Sequence, residues 1–265
     1  LTSIQLRSLT SAKLGVLTGE QISALTGLQV QKLTTGQIRD LSADQMSSLS
    51  TQAISLLTAA QVASIETVDV QALTSSQIAS FSSSQTQKLS TDQIVSLQEQ
   101  QISSLSLSSV VSLSTSQIRA MELVDLKALT AQQVGVLTSK QLLALKSDQL
   151  QSLTKDQLSG LTAAQTQKLT AGQLTLLSGD QLSAFSTAAI SVLTPAQLAG
   201  IESADIPALA ATQIGALSAA QLSKLSTTQI NALTTSQMPS MIKAGLAALT
   251  SAQIDAINPD AFKSL

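Results

Sequence analysis

The chain has 265 residues, of which 43% are hydrophobic and 11% charged, and its formal net charge is −2. Fourteen Lys and Arg spread over that length give no basic footprint for a phosphate backbone, and sixteen Asp and Glu give neither an acidic tail nor a dense calcium loop. Cys, His, Trp and Tyr are all absent, which removes thiolate nucleophiles, imidazole bases, His or Cys metal ligands, disulfide staples and the larger aromatic platforms for sugars or bases.

From Leu1 the chain reads in rows of eight as Leu-Thr-x-x-Gln-Ile-x-x and stays in register to Leu265 without insertion or deletion, a single array of 33 octapeptides over 1–265. Repetition at a short fixed period implies an architecture that grows along an axis instead of around one core. Leu17, Thr18, Gln21 and Ile22 show the consensus. Position one is Leu, replaced only by other bulky apolar residues such as Ile65, Phe81, Met121, Phe185, Ile201, Met241 and Ile257. Position six is apolar almost throughout, with Thr86 and Thr166 as exceptions.

Thr or Ser at position two followed three residues later by Gln is a capping box: the hydroxyl accepts from the N3 amide while the Gln side chain reaches back to the N-cap amide. Thr18 with Gln21, Thr58 with Gln61, Thr138 with Gln141 and Thr234 with Gln237 are clear cases. A continuous helix would carry the Leu positions about 80° around its axis in each repeat, so no apolar face would persist, which argues against a coiled coil. A restart at each Thr resolves this. The spacing predicts a helical piece of about six residues, an extended step through Leu-Thr, and then the next piece. Pro195 after Thr194 and Pro259 after Asn258 fit, since Pro is welcome at the first helical position.

The predicted fold is therefore an all-α solenoid of very short capped helices, one per repeat. A β-solenoid is the competing reading, but positions one and six would point to opposite faces of a strand, and regular Gly and Asp turns are missing. Six-residue helices are unstable alone, so their Leu and Ile side chains must meet those of neighbouring pieces. Small residues at positions seven and eight would let the pieces approach.

A second order overlies the first. Ile65-Glu66-Thr67-Val68-Asp69 is echoed at Met121 to Asp125, at Ile201 to Asp205 and more loosely at Ile257 to Asp260, with starts seven, ten and seven repeats apart. Gln85-Thr86-Gln87-Lys88-Leu89 and its relatives keep the same spacings, so seven and ten repeats make a unit of seventeen, present nearly twice. Either a block was duplicated, or seventeen repeats make whole superhelical turns, five at 3.4 repeats each being one fit.

The recurrent paired carboxylates are Glu66 with Asp69, Glu122 with Asp125 and Glu202 with Asp205. They are the candidates for a cation site. The preferred reading is a charged variant of the capping box, because two carboxylates are too few for calcium. Lys32, Lys88, Lys168 and Lys224 all hold position eight and read as solvated stems over apolar surface. Phe81, Phe185 and Phe262 read as core. Ser and Thr are abundant but lack a base, and the Gly residues form no phosphate-cradling loop. No catalytic, cofactor-binding or metal-ligating residue is assigned.

The Leu-Thr-x-x-Gln-Ile or Val pattern resembles the low-charge octapeptide arrays of large secreted or surface adhesin-like proteins of Gram-negative bacteria. The resemblance implies an exported stalk or surface-layer segment at the cell surface or outside the cell, and it carries over no binding residue. Haem binding gains no support without His or Tyr. The expected function is a non-enzymatic rod or filament segment, and the alternative is an adhesive module engaging a glycan, a protein or ice. Expected partners are neighbouring copies of the array and flanking domains of a longer protein. Nucleic acid and a membrane span are not expected, and both chain ends falling in phase suggests a fragment.

Overall fold

The computed structural model describes residues 1–241 and 243–265, in two compact units, Leu1–Val136 and Leu137–Leu265. Each unit, taken by itself, is a helical solenoid. α-Helices of four to six residues follow one another, one to a repeat, and no strand occurs among the described residues. The all-α reading holds and the β-solenoid is set aside.

The local cause is visible in a single repeat. Thr58 is extended at φ −68° and ψ 154°, and its hydroxyl accepts from the Gln61 amide at 3.2 Å. The Thr58 amide donates to Gln61 Oε1 at 2.8 Å, and the helix Ala59–Ala63 follows. At the other end Leu73, with φ −61° and ψ 141°, stops the helix Thr67–Ala72. Two extended residues, positions one and two, thus join successive helices. No described non-glycine residue has positive φ and no Gly does either, so the turn needs no left-handed residue. Serine at position eight adds a second donor to carbonyls in the last helical turn: Ser64 Oγ donates to the Gln61 carbonyl at 2.7 Å, and Ser104 Oγ to that of Gln101 at 2.8 Å.

Two repeats depart from the α-helix, and proline explains both. Ser203–Ala208 and Met238–Ser240 are 3₁₀ helices containing Pro207 and Pro239, which have no amide for an i to i−4 bond. The second lies in the repeat of Thr234 and Gln237, where the cap still forms, with Thr234 N–H to Oε1 at 2.9 Å and Gln237 N–H to Oγ1 at 3.3 Å. A capping box starts the chain into a helix without choosing which helix propagates.

Within each unit a helix packs against the helix three repeats further on. Gly19–Ser23 meets Ala43–Ser48, Ala59–Ala63 meets Ser83–Lys88, and Gly179–Leu182 meets Ser203–Ala208. Side chains at positions one and six fill the interior, each burial contributing on the order of 1.5–3 kcal/mol. The two positions face opposite ways along the coil. Leu6, Leu14 and Ile22 are fully buried, whereas Leu1 is 65% exposed and Leu9, Leu17 and Leu25 are half-buried. At the other end Ile257 is buried while Ile254 and Phe262 are 39% and 52% exposed. Position one is therefore sealed by the preceding turn and position six by the following one. Phe81 and Phe185, both at position one, are core, but Phe262 at position six is not, which corrects the expectation for it.

Thr86 and Thr166 occupy position six, fully buried, and each hydroxyl bonds back to the carbonyl four residues earlier, at 3.2 and 3.1 Å. That carbonyl already accepts the helical amide of Thr86 at 3.0 Å, so the hydroxyl adds little. Thr86→Val is expected to raise stability by about 0.5–1.5 kcal/mol. A urea midpoint that fails to rise would show that the hydroxyl is needed.

Candidate functional site

Glutamine fills position five in 24 of the 33 repeats and glutamate in none. A capping box accepts either residue, so the bias needs another cause. It lies in the far half of the amide. Gln77 accepts the Thr74 amide on Oε1 at 2.7 Å while its Nε2 donates to the carbonyls of Met46, Ser47 and Leu49 at 3.1, 3.1 and 2.7 Å. Those residues lie 31, 30 and 28 positions earlier, on the preceding turn. Gln101 repeats the pattern on Val70, Gln71 and Leu73, and in the second unit Gln197 does so on Thr166, Gln167 and Leu169.

Each such amide is a rung. It caps its own helix and ties it to two carbonyls of the preceding turn, one at a helix end, where the next position-one amide also donates, and one in the extended link. Glutamate could perform only the first task, since a carboxylate facing carbonyl oxygens has nothing to donate. The rungs are buried, Gln77 to 2% exposure, where a bond satisfied at both ends matters most. With helix contacts at three repeats and rungs reaching 28 to 31 residues, a turn takes between three and four repeats, a range that contains 3.4.

The residues singled out in the sequence fall on this ladder. Thr18 and Gln21 form the reciprocal pair at 3.3 and 3.0 Å, and Thr138 and Gln141 form it at 3.3 and 2.7 Å. Thr58 and Gln61 add the rung, with Gln61 Nε2 on the Val30 and Leu33 carbonyls at 3.2 and 2.8 Å. Gln237 reaches the Ile206 and Leu209 carbonyls, each at 2.7 Å. Lys32, Lys88, Lys168 and Lys224 are exposed.

Beyond Lys13, rungs fail in pairs. Ala53 and Asp69, Ser109 and Asp125, Ala189 and Asp205, and Gly245 and Ala261 hold position five, and both members of the pair recur after seven, ten and seven repeats. Ser109 keeps a short rung, its hydroxyl reaching the Phe81 carbonyl at 3.1 Å. The acid pairs differ from one another. Glu66, Glu122 and Glu202 are exposed, and Glu66 and Glu202 make no side-chain cap bond, so the charged capping box is incomplete there. Asp125 keeps the other half, with its Oδ2 accepting the Glu122 amide at 2.9 Å. Asp205 turns elsewhere, its Oδ1 accepting the Gly179 amide of the neighbouring turn at 2.7 Å. A Cβ on Gly179 would lie 2.7 Å from Ala208 Cβ, so only glycine admits that approach.

Asp69 and Asp125 are 4% and 3% exposed. Burial holds the Asp69 carboxyl above the usual carboxylate range, and the Glu66 charge adds to this. Burial also raises Asp125; the Glu122 hydrogen bond opposes the rise, and the Glu122 and Glu99 charges reinforce it. Among the described residues no group of three or more acids is arranged to hold a metal ion, and no helix is long and apolar enough to cross a membrane.

The far half of the glutamine escaped the sequence reading because the carbonyls it meets belong to another turn. The absence of glutamate at position five was the available signal. No curated protein matches the chain. Segments 62–99, 118–155 and 198–235 match the ALTTAQ repeat family, with starts seven and then ten repeats apart, so the family similarity recurs at the spacing of the interrupted rungs.

Proposed function

We propose that the array is a non-enzymatic structural segment, a spacer of a secreted or cell-surface protein whose length is set by its number of repeats. The observation that carries this reading is the rung that joins turn to turn, repeated through both units by one residue type. An array kept in phase over 33 repeats supports the same use, since one inserted residue would move the glutamines of the following turn off their carbonyls. Its hydroxyls are largely committed to caps and helix ends, which leaves no organised nucleophile. The exported setting rests on the resemblance to surface arrays.

Small-angle X-ray scattering on the chain and on a version carrying one additional unit of seventeen repeats tests the spacer. The maximum dimension is expected to grow in proportion to the added repeats. A dimension that grows only as the cube root of mass would overturn the reading.

Self-association belongs to the same proposal. Val68, Leu107, Val111 and Val124 are each more than 40% exposed, and a chain with 11% charged residues has little repulsion to keep copies apart. Sedimentation velocity over a hundredfold range of concentration is expected to show larger species as concentration rises. A single monomer boundary throughout would remove this part.

A further inference from the structure

We propose that Asp69 and Asp125 form acid-closed seams in the ladder: protonated, each supplies the donor that glutamine supplies elsewhere, and ionised, each opposes the carbonyls of the preceding turn. The register defines those carbonyls. Counting back 31 and 28 residues, as the rungs do, leads from Asp69 to Ile38 and Leu41, and from Asp125 to Ile94 and Leu97. The rungs on either side are intact, with Gln61 and Gln77 flanking Asp69, and Gln117 and Gln133 flanking Asp125. Asp125 Oδ2 replaces a glutamine Oε1 by accepting the Glu122 amide, which leaves the second oxygen, on a side chain one carbon shorter, as its only group to meet the preceding turn where glutamine uses Nε2. An oxygen in that place bonds a carbonyl only if it carries a proton.

The surroundings favour the proton. Asp69 has Glu66 on its own helix, Asp44 on the packed helix Ala43–Ser48 and Asp92 on the packed helix Thr91–Val95, with no cation on any of the three. Arg39 and Asp40, of opposite charge and both exposed, lie between the two opposed carbonyls. Asp125 has Glu122 and Lys127 in its own repeat and Glu99 on the packed helix Glu99–Ser104. The carboxyls of both are held above their usual range, chiefly by burial. A shallow groove of about 370 Å³ lies beside the second seam, lined by Leu97, Glu99, Glu122 and Asp125, and gives protons and water a path to it.

The sign follows from linkage. With the folded values raised above 3.8, the folded state binds more protons than the unfolded state between that value and the raised one. The contribution of these groups to stability is therefore present in acid and lost as pH rises through the folded values. Asparagine at both sites keeps the shape and carries a donor at every pH.

The test compares thermal midpoints of the full chain and of the Asp69→Asn/Asp125→Asn double variant at about pH 4 and about pH 7. The double variant is expected to melt about 4 °C higher near pH 7, with the gain shrinking towards zero near pH 4. The exposed Asp156→Asn serves as control and is expected to show no such pH-dependent gain. Hydrogen exchange on the unaltered chain is the second readout. After correction for intrinsic rates, amides around Ile38–Leu41 and Ile94–Leu97 are expected to open more readily at the higher pH, and this difference is expected to vanish in the double variant. An equal gain at both pH values, or opening that does not depend on pH, overturns the proposal.

Discussion

Gln77→Glu is expected to destabilise Leu1–Val136 more than Gln77→Ala does, although glutamate is a good capping residue at that position. Alanine removes the amide, takes the donor from the Leu49 carbonyl and leaves the Met46 carbonyl with only the Leu49 amide at 3.3 Å, a loss of about 1–3 kcal/mol. Glutamate preserves an acceptor for the Thr74 amide but buries a carboxylate against the three carbonyls that Nε2 now serves, a cost of about 3–5 kcal/mol for an uncompensated buried charge. Urea denaturation near neutral pH measures both. The order should narrow in acid, where the glutamate takes a proton and can donate. If glutamate proves the milder change near neutral pH, then capping, and not the tie between turns, explains why this position is glutamine.

Ile78→Ala tests the other half of the architecture. Ile78 is fully buried at position six, in the helix Ser75–Ala79 that packs between Thr51–Ser55 and Glu99–Ser104. Removing three carbons there is expected to cost about 2–5 kcal/mol, through lost burial and the cavity left behind. In a solenoid each repeat touches only near neighbours, so the damage should stay local. Hydrogen exchange is expected to speed up in these three helices and to be unchanged in the helix Ser11–Gly15. Acceleration spread evenly over the unit would mean that it unfolds as one cooperative globule.

Much of this was legible beforehand because it is local. Thr at position two and Gln at position five lie within three residues of each other, so their hydrogen bonds follow from one helical turn whatever surrounds it. The extended Leu-Thr link could be read in the same way, from the failure of an eight-residue period to keep an apolar face on a continuous helix. Pro195 at a first helical position was equally readable, and Thr194 does cap that helix. Pro239 shows where this reasoning stops, for the Thr234 and Gln237 cap before it gave no warning that the helix beyond would be 3₁₀.

The acid pairs show the same boundary from the other side. Glu66 with Asp69, Glu122 with Asp125 and Glu202 with Asp205 are alike in sequence, yet Asp69 and Asp125 are buried in the ladder while Asp205 accepts the Gly179 amide from a neighbouring turn. Within the five residues of each motif, only Ala204, where the other two carry Val68 and Val124, sets the third apart. Asp205 lies in the 3₁₀ helix that holds Pro207, and its partner Gly179, 26 residues away, leaves room for the carboxylate.

By itself, then, the sequence determined the period, the helix starts, the extended links and the identity of the two apolar positions, because each depends on residues within about one helical turn. Only the tertiary structure decided which carbonyls the glutamines reach, which apolar position faces which neighbouring turn, and which aspartates are buried. Those depend on residues 25 to 31 positions apart, brought together by the number of repeats in a turn, a quantity that arises from packing and is written in no single repeat.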